Sequence, residues 1–202
     1  MHFDSQHLRE LIQQIGYIGV SGIIFAESWI IFFLPGDSLL VTAGFIAYQG
    51  SLNLWILMAS TLLCAIVGNS LGYATGYRFG RRLFQRDSWL FKRKYLASTQ
   101  KFSEQHGKKM IVLARFMPII RTFAPIVAGI GSMEYRTFLT YNIIGGFAWT
   151  VGLLLLGYGL GSFLGKVVDV DKFLLPIIVL IIIVSLIPSF IHFYQERKSS
   201  RR

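Results

Sequence analysis

Two short stretches restrict this chain more than any other part of it: Glu27-Ser-Trp-Ile-Ile-Phe-Phe-Leu-Pro-Gly-Asp37 and Arg115-Phe-Met-Pro-Ile-Ile-Arg121-Thr-Phe-Ala-Pro-Ile-Val-Ala-Gly129. Each sets two charges and at least one proline inside an apolar segment. A charge at bilayer depth costs about 2.5–3.5 kcal/mol, so four unpaired charges facing lipid would cost on the order of 10 kcal/mol. The chain as a whole reads as a membrane protein: 202 residues, 53% hydrophobic, 15% charged, mean hydropathy +0.55. That composition fits a single polytopic domain rather than a soluble one. The four charges are therefore expected to pair or to line a cavity, and either makes them the default functional site.

The net charge of +10 is uneven. Residues 78–109 hold Arg78, Arg81, Arg82, Arg86, Lys92, Arg93, Lys94, Lys101, Lys108 and Lys109 against only Asp87 and Glu104. The tail adds Arg197, Lys198, Arg201 and Arg202. The positive-inside rule puts both regions in the cytoplasm, where anionic lipid headgroups attract them. No stacking platform or motif accompanies the charge, which argues against nucleic acid as a partner. Cys64 is alone in an apolar run, so there is no disulfide framework. Met1-His-Phe-Asp-Ser-Gln lacks the basic start of a cleavable signal peptide.

Along the chain, residues 5–15 carry Leu8, Leu11, Ile12 and Ile15 at helical spacing, the pattern of an amphipathic interfacial helix. Segment 16–47 would run to about 48 Å as one helix, beyond a hydrocarbon core of about 30 Å. Pro35 and Gly36 break it, predicting a re-entrant hairpin, although residues 16–34 are long enough to cross alone. Residues 52–77 read as a spanning helix with Trp55 and Tyr77 as interface anchors. The basic stretch 79–107 reads as amphipathic helical pieces at the cytoplasmic surface. Arg115, Pro118, Arg121 and Pro125 turn 110–131 into a second re-entrant hairpin, and 137–164 and 173–194 are two further spanning helices.

An ungapped shift of 85 positions lays Ala43-Gly44 on Ala128-Gly129, and Gly72-Tyr73, Gly76 and Gly80 on Gly157-Tyr158, Gly161 and Gly165. One crossing per repeat inverts the second copy. The expectation is an all-α membrane protein: two opposed re-entrant hairpins, about three spanning helices, interfacial amphipathic helices and an inverted repeat, a recurring transporter design. The glycines of both rows, spaced every four residues, let helices approach closely, against the hairpins or in a homo-oligomer.

Arginine stays charged and its planar fork matches phosphate oxygens. Arg115 and Arg121 beside helix breaks also gain the positive ends of half-helices. The competing reading is a structural ion network with Glu27 and Asp37. Asp37 suits an N-cap for a half-helix beginning at Ser38, whereas Glu27 is the better candidate proton carrier. Asn69 and Asn142 are hydrogen-bonding glue or cavity lining. Neither a metal nor a cofactor is called for. His2, His7, His106 and His192 lie away from both hairpins, and no hydrolase or metal-ligand motif occurs.

The run Arg115-Phe-x-Pro-x-x-Arg121-Thr-Phe-x-Pro125-x-x-Ala128-Gly129 resembles the signature of the DedA family (SNARE-associated or VTT-domain membrane proteins). Leu34-Pro-Gly-Asp37-Ser after Glu27, Gly68-Asn69-x-x-Gly72-Tyr73-x-x-Gly76, and Phe138, Asn142, Trp149 and Gly157-Tyr158 are similar to it too. The resemblance implies opposed hairpins in a small transporter. Family members are linked to the return of undecaprenyl phosphate across the cytoplasmic membrane, to proton-motive-force-dependent stress tolerance, and to phospholipid scrambling. It also implies that Glu27 and Asp37 form an essential acidic pair and Arg115 and Arg121 a basic one. The resulting expectation is a multi-pass transporter of a lipid phosphate in the cytoplasmic membrane, not an enzyme. Its rivals are a proton-coupled exporter of small cations or drugs, and a structural membrane protein supporting the envelope.

Overall fold

A computed structural model describes residues 5–29, 36–80 and 93–164, and every regular element among them is helical. In chain order these are α1 (Ser5–Trp29), α2 (Gly36–Tyr48), α3 (Leu54–Phe79), α4 (Arg93–His106), a 3-10 turn (Gly107–Lys109), α5 (Met110–Ala114), α6 (Pro118–Ile130) and α7 (Tyr135–Leu164). The expected span 173–194, the break residue Pro35 and Gly165 lie outside the described residues.

Helices α3 and α7, 26 and 30 residues long, reach about 39 and 45 Å, enough to cross a bilayer. Their most apolar windows have a mean hydropathy of 1.8, yet only 28% and 33% of those windows is buried. Leu63, Val67, Ile143, Ile144, Phe147, Leu155 and Leu156 face outward. Such continuous apolar exposure suits lipid, not water. This is an all-α membrane protein.

Local chemistry sets the element ends. Asn53 caps α3, its Oδ1 accepting from the backbone N–H of Trp55 at 2.9 Å and of Ile56 at 3.3 Å. Gly80 ends α3 with φ +55, and among the described residues nothing lies within 4 Å of a Cβ placed there. It is a stop rather than the packing residue the glycine row suggested, because its place past the last turn needs a left-handed backbone. Pro118 opens α6 at the position where its missing N–H has no helical partner to lose. The expected division between an interfacial helix over 5–15 and a separate arm from residue 16 is absent; α1 is continuous to Trp29. The stretch holds no proline, and Gly16 and Gly19 within a helix each cost only about 1 kcal/mol.

Contacts fix the directions. Asn69 meets Asn142 and Leu62 lies beside Gly146, so α3 and α7 run antiparallel. Along α2, Asp37 contacts Trp149 and Tyr48 packs edge-on to Tyr158, so α2 runs with α7. Along α6, Pro125 lies beside Gly72 and Gly129 beside Gly76 and Tyr77, so α6 runs with α3. The 13-residue helices α2 and α6 are each about 20 Å long and therefore point in opposite directions. Both begin near the middle of the long helices and end near opposite ends.

Two cores result. One joins Ile24, Leu40, Ala43, Leu57, Ala65 and Leu154 around the first half of α3. The other joins Tyr73, Met110, Ile111, Ala114, Ala124 and Phe138 around its second half. The charged residues lie between them.

Candidate functional site

The break between α5 and α6 occupies residues 115–117, α1 ends at Trp29 and α2 begins at Gly36; Arg115 and Asp37 both reach the middle part of α7, at Asn142 and Trp149. Arg121, in the first turns of α6, reaches both acids of the other break. Its Nη2 pairs with Glu27 Oε1, and its Nη1 lies 2.8 Å from Asp37 Oδ1. Glu27 is 1% exposed; the Asp37 side chain is half exposed. Gly36 lies directly against the Glu27 carboxylate, where any side chain would collide with it. Asp37 falls inside the first turn of α2 rather than just before the helix, as an N-cap residue would. Its Oδ1 accepts from Arg121 and, at 2.7 Å, from Trp149 Nε1.

Arg115 is held differently. It is 4% exposed, and its Nη2 donates to Asn142 Oδ1 at 2.6 Å. With its amide turned, Asn69 accepts from Arg115 Nη2 at 3.0 Å and donates to the Ser28 carbonyl at 2.8 Å, its oxygen then lying 3.0 Å from Asn142 Oδ1. Asn142 Nδ2 donates to the Ile66 carbonyl at 3.0 Å, which fixes the orientation of that amide. The indole of Trp149 lies 5.8 Å from the Arg115 guanidinium and 5.2 Å from that of Arg121. Desolvated cation–π contacts of this kind are worth about 2 kcal/mol.

These groups enclose a cavity of about 10 Å³ lined by Glu27, Ser28, Asn69, Arg115, Arg121 and Trp149. That volume is at the lower edge of what one water occupies. A phosphate group fits only if the ion pairs part. The arrangement can therefore hold an anion after a rearrangement, or exchange a proton at Glu27.

All four charged residues singled out from the sequence converge here, with Gly36 beside them. Pro118 and Pro125 lie on α6, and the second packs toward Gly72. Gly76, Gly157 and Gly161 abut Ile126, Val41 and Tyr48 across the helix interfaces. Trp149 and Ser28 were not expected in the site. Trp149 carried a signal nonetheless, because a tryptophan at the centre of a spanning helix is away from the interfacial belt where that residue concentrates. Among the described residues no group of three or more His, Cys, Asp or Glu side chains is arranged to hold a metal.

Residues 34–159 match the family model of the VTT domain. The chain is 42% identical, over its full length and 94% of the relative, to Protein DedA of Escherichia coli (strain K12). An uncharacterised membrane protein of Mycobacterium leprae (strain TN) is 40% identical, covering 89% of this chain and 80% of the relative. Inner membrane protein YohD of Escherichia coli is 26% identical over 96% of each chain. No solved structure matches the chain.

Proposed function

This chain belongs to the VTT-domain (DedA) family, and on that premise we propose that it moves a lipid phosphate across the cytoplasmic membrane, a polyprenyl phosphate such as undecaprenyl phosphate being the favoured substrate. The observation that carries the reading is one cavity lined by two arginines, Arg121 brought to it by α6, while α2, pointing the opposite way, begins against the Glu27 carboxylate that also lines it. A helix N-terminus favours anions, and here two of them meet guanidinium forks at mid-span. In this reading α1–α2 and α5–α6 are re-entrant hairpins of an inverted repeat. The lipid tail stays in the bilayer while its phosphate passes through the polar centre.

The two carboxylates act as internal stand-ins for the substrate. They fill the Arg121 fork when no phosphate is present, so an incoming phosphate displaces them. Glu27, buried and on the path of that exchange, takes up a proton as it leaves Arg121 and couples the cycle to the proton gradient. The test is translocation of polyprenyl phosphate by purified protein in proteoliposomes, with and without a proton gradient. Arg121→Lys keeps the charge and loses the two-pronged geometry, so the rate falls at least about 10-fold. Full transport by a folded Arg121→Lys protein overturns the phosphate role.

One observation favours a second reading, a purely structural ion network: Arg121 already has two acidic partners. Under that reading wild-type protein neither binds nor moves the lipid, while the variants still unfold at lower temperature.

A further inference from the structure

The two arginines, equal in the sequence, are unequal in their surroundings. Arg121 faces both Glu27 and Asp37. Arg115 is the more deeply buried of the two, and among the described residues neither carboxylate of the cluster reaches it. Its acceptors are neutral: the Asn142 side chain at 2.6 Å, the Asn142 carbonyl at 3.4 Å and the Asn69 amide at 3.0 Å. Its Nε, like that of Arg121, is buried and finds no acceptor among the described residues, and the side chain lines the cavity. A buried cation with only neutral partners lacks the counter-charge that normally offsets desolvation.

The backbone is shaped to keep it there. A Cβ at Gly145 would come within 3.2 Å of Arg115 Cδ and within 3.1 Å of Val112 Cα. One at Gly146 would come within 3.3 Å of Arg115 Nη2. The guanidinium therefore rests on bare helix backbone, steered by an amide whose other end is tied to Ile66.

We infer that Arg115 is the seat of the phosphate and Arg121 the gate, and that Asn142 is the positioning residue that keeps the seat open by offering an uncharged acceptor where a carboxylate would neutralise it. This division of labour rests on the phosphate reading above. The chemistry recognised is the anionic oxygens of a phosphate group, whether from a lipid phosphate monoester or from free phosphate. Trp149 lies between the two functions, its ring 5.8 Å from the Arg115 guanidinium and 5.2 Å from that of Arg121.

The test uses the full chain in nanodiscs, with farnesyl phosphate as the probe and inorganic phosphate as competitor. Asn142→Asp is nearly isosteric and places a carboxylate on Arg115. Binding of farnesyl phosphate is expected to weaken by about 30-fold or more, whereas Asn142→Ala, which loses one hydrogen bond without neutralising the cation, stays within about 5-fold of wild type. Asn142→Asp/Glu27→Gln restores the formal charge of the cluster. If the seat is local, binding stays weak; recovery to the wild-type value would mean that only total charge matters and overturns the inference. Should Asn142→Asp fail to fold, Asn69→Asp puts the same charge on the same guanidinium from α3 and decides the question with the same readout. Wild-type binding with an unchanged Asn142→Asp affinity sinks the seat alone. Absence of wild-type binding sinks both the seat and the phosphate reading. Equal competition by inorganic phosphate overturns the lipid as the source of the ligand.

Discussion

At Gly36 the two halves of the first break come so close that a single methyl group has nowhere to go except into the Glu27 carboxylate. Gly36→Ala must push Glu27 off Arg121 or lift the start of α2, an overpacking penalty of about 1–3 kcal/mol. The expected outcome is a lower unfolding temperature together with slower transport, measured on the same preparation. Glu27→Gln, which keeps the shape, is expected to bind phosphate at least as tightly as wild type, because it removes a competitor for Arg121. Trp149→Phe probes a smaller element of the site. It keeps an aromatic ring beside both guanidinium groups but deletes the N–H held by Asp37, a loss of about 1.5–3 kcal/mol for a hydrogen bond to a charged acceptor, read as a lower unfolding temperature. The charged residues were readable from sequence because a charge in an apolar run has few places to be. Trp149 stood out only by its mid-helix position; that it meets both guanidinium groups depends on which face of α7 turns toward them, and no spacing rule encodes that.

Among the elements, the glycine rows divide into those that let helices touch and those that do not. Gly44 meets the backbone of Leu154, Gly157 that of Val41, Gly76 that of Ile126, and Gly129 that of Tyr73, so α2 is seated on α7 and α6 on α3. Small residues make such backbone approach feasible where lipid offers no hydrophobic drive. Alanine at Gly76 or Gly157 is expected to destabilise by about 1–3 kcal/mol. At Gly152 or Gly159, where nothing among the described residues lies within 4 Å, it should be neutral or stabilise by up to about 1 kcal/mol through helix propensity. Thermal unfolding of the four variants in one detergent checks the contrast, and equal effects at all four would refute it. The match of Ala43-Gly44 with Ala128-Gly129 suggested a repeat, but a sequence match is silent about partners and did not say that α2 packs on α7 and α6 on α3. The boundary expected after residue 15 failed for a related reason: amphipathic and apolar stretches change face without any break in the backbone.

Across the whole molecule, the antiparallel pair α3 and α7 sends the far ends of the two short helices to opposite sides. The turn after α2 carries exposed Ser51, and the turn after α6 carries exposed Ser132. Phe102 of the basic helix α4 packs against the second core, the one that holds Ala124 and Ala128 of α6, which places that charge at the α6 end. The positive-inside rule then assigns Ser132 to the cytoplasm and Ser51 to the opposite face. Cys64, the only cysteine, is removed first as Cys64→Ala. In intact cells Ser51→Cys is expected to react with a membrane-impermeant maleimide, while Ser132→Cys reacts only after permeabilisation. Labelling of both from one side would contradict the antiparallel arrangement, and with it the meeting of the two breaks at mid-span. The reverse labelling would keep the architecture and invert the membrane orientation. A phosphate seat between opposed half-helices is open to either face only if the arrangement holds, so this topology experiment bears on mechanism as directly as any substitution in the site.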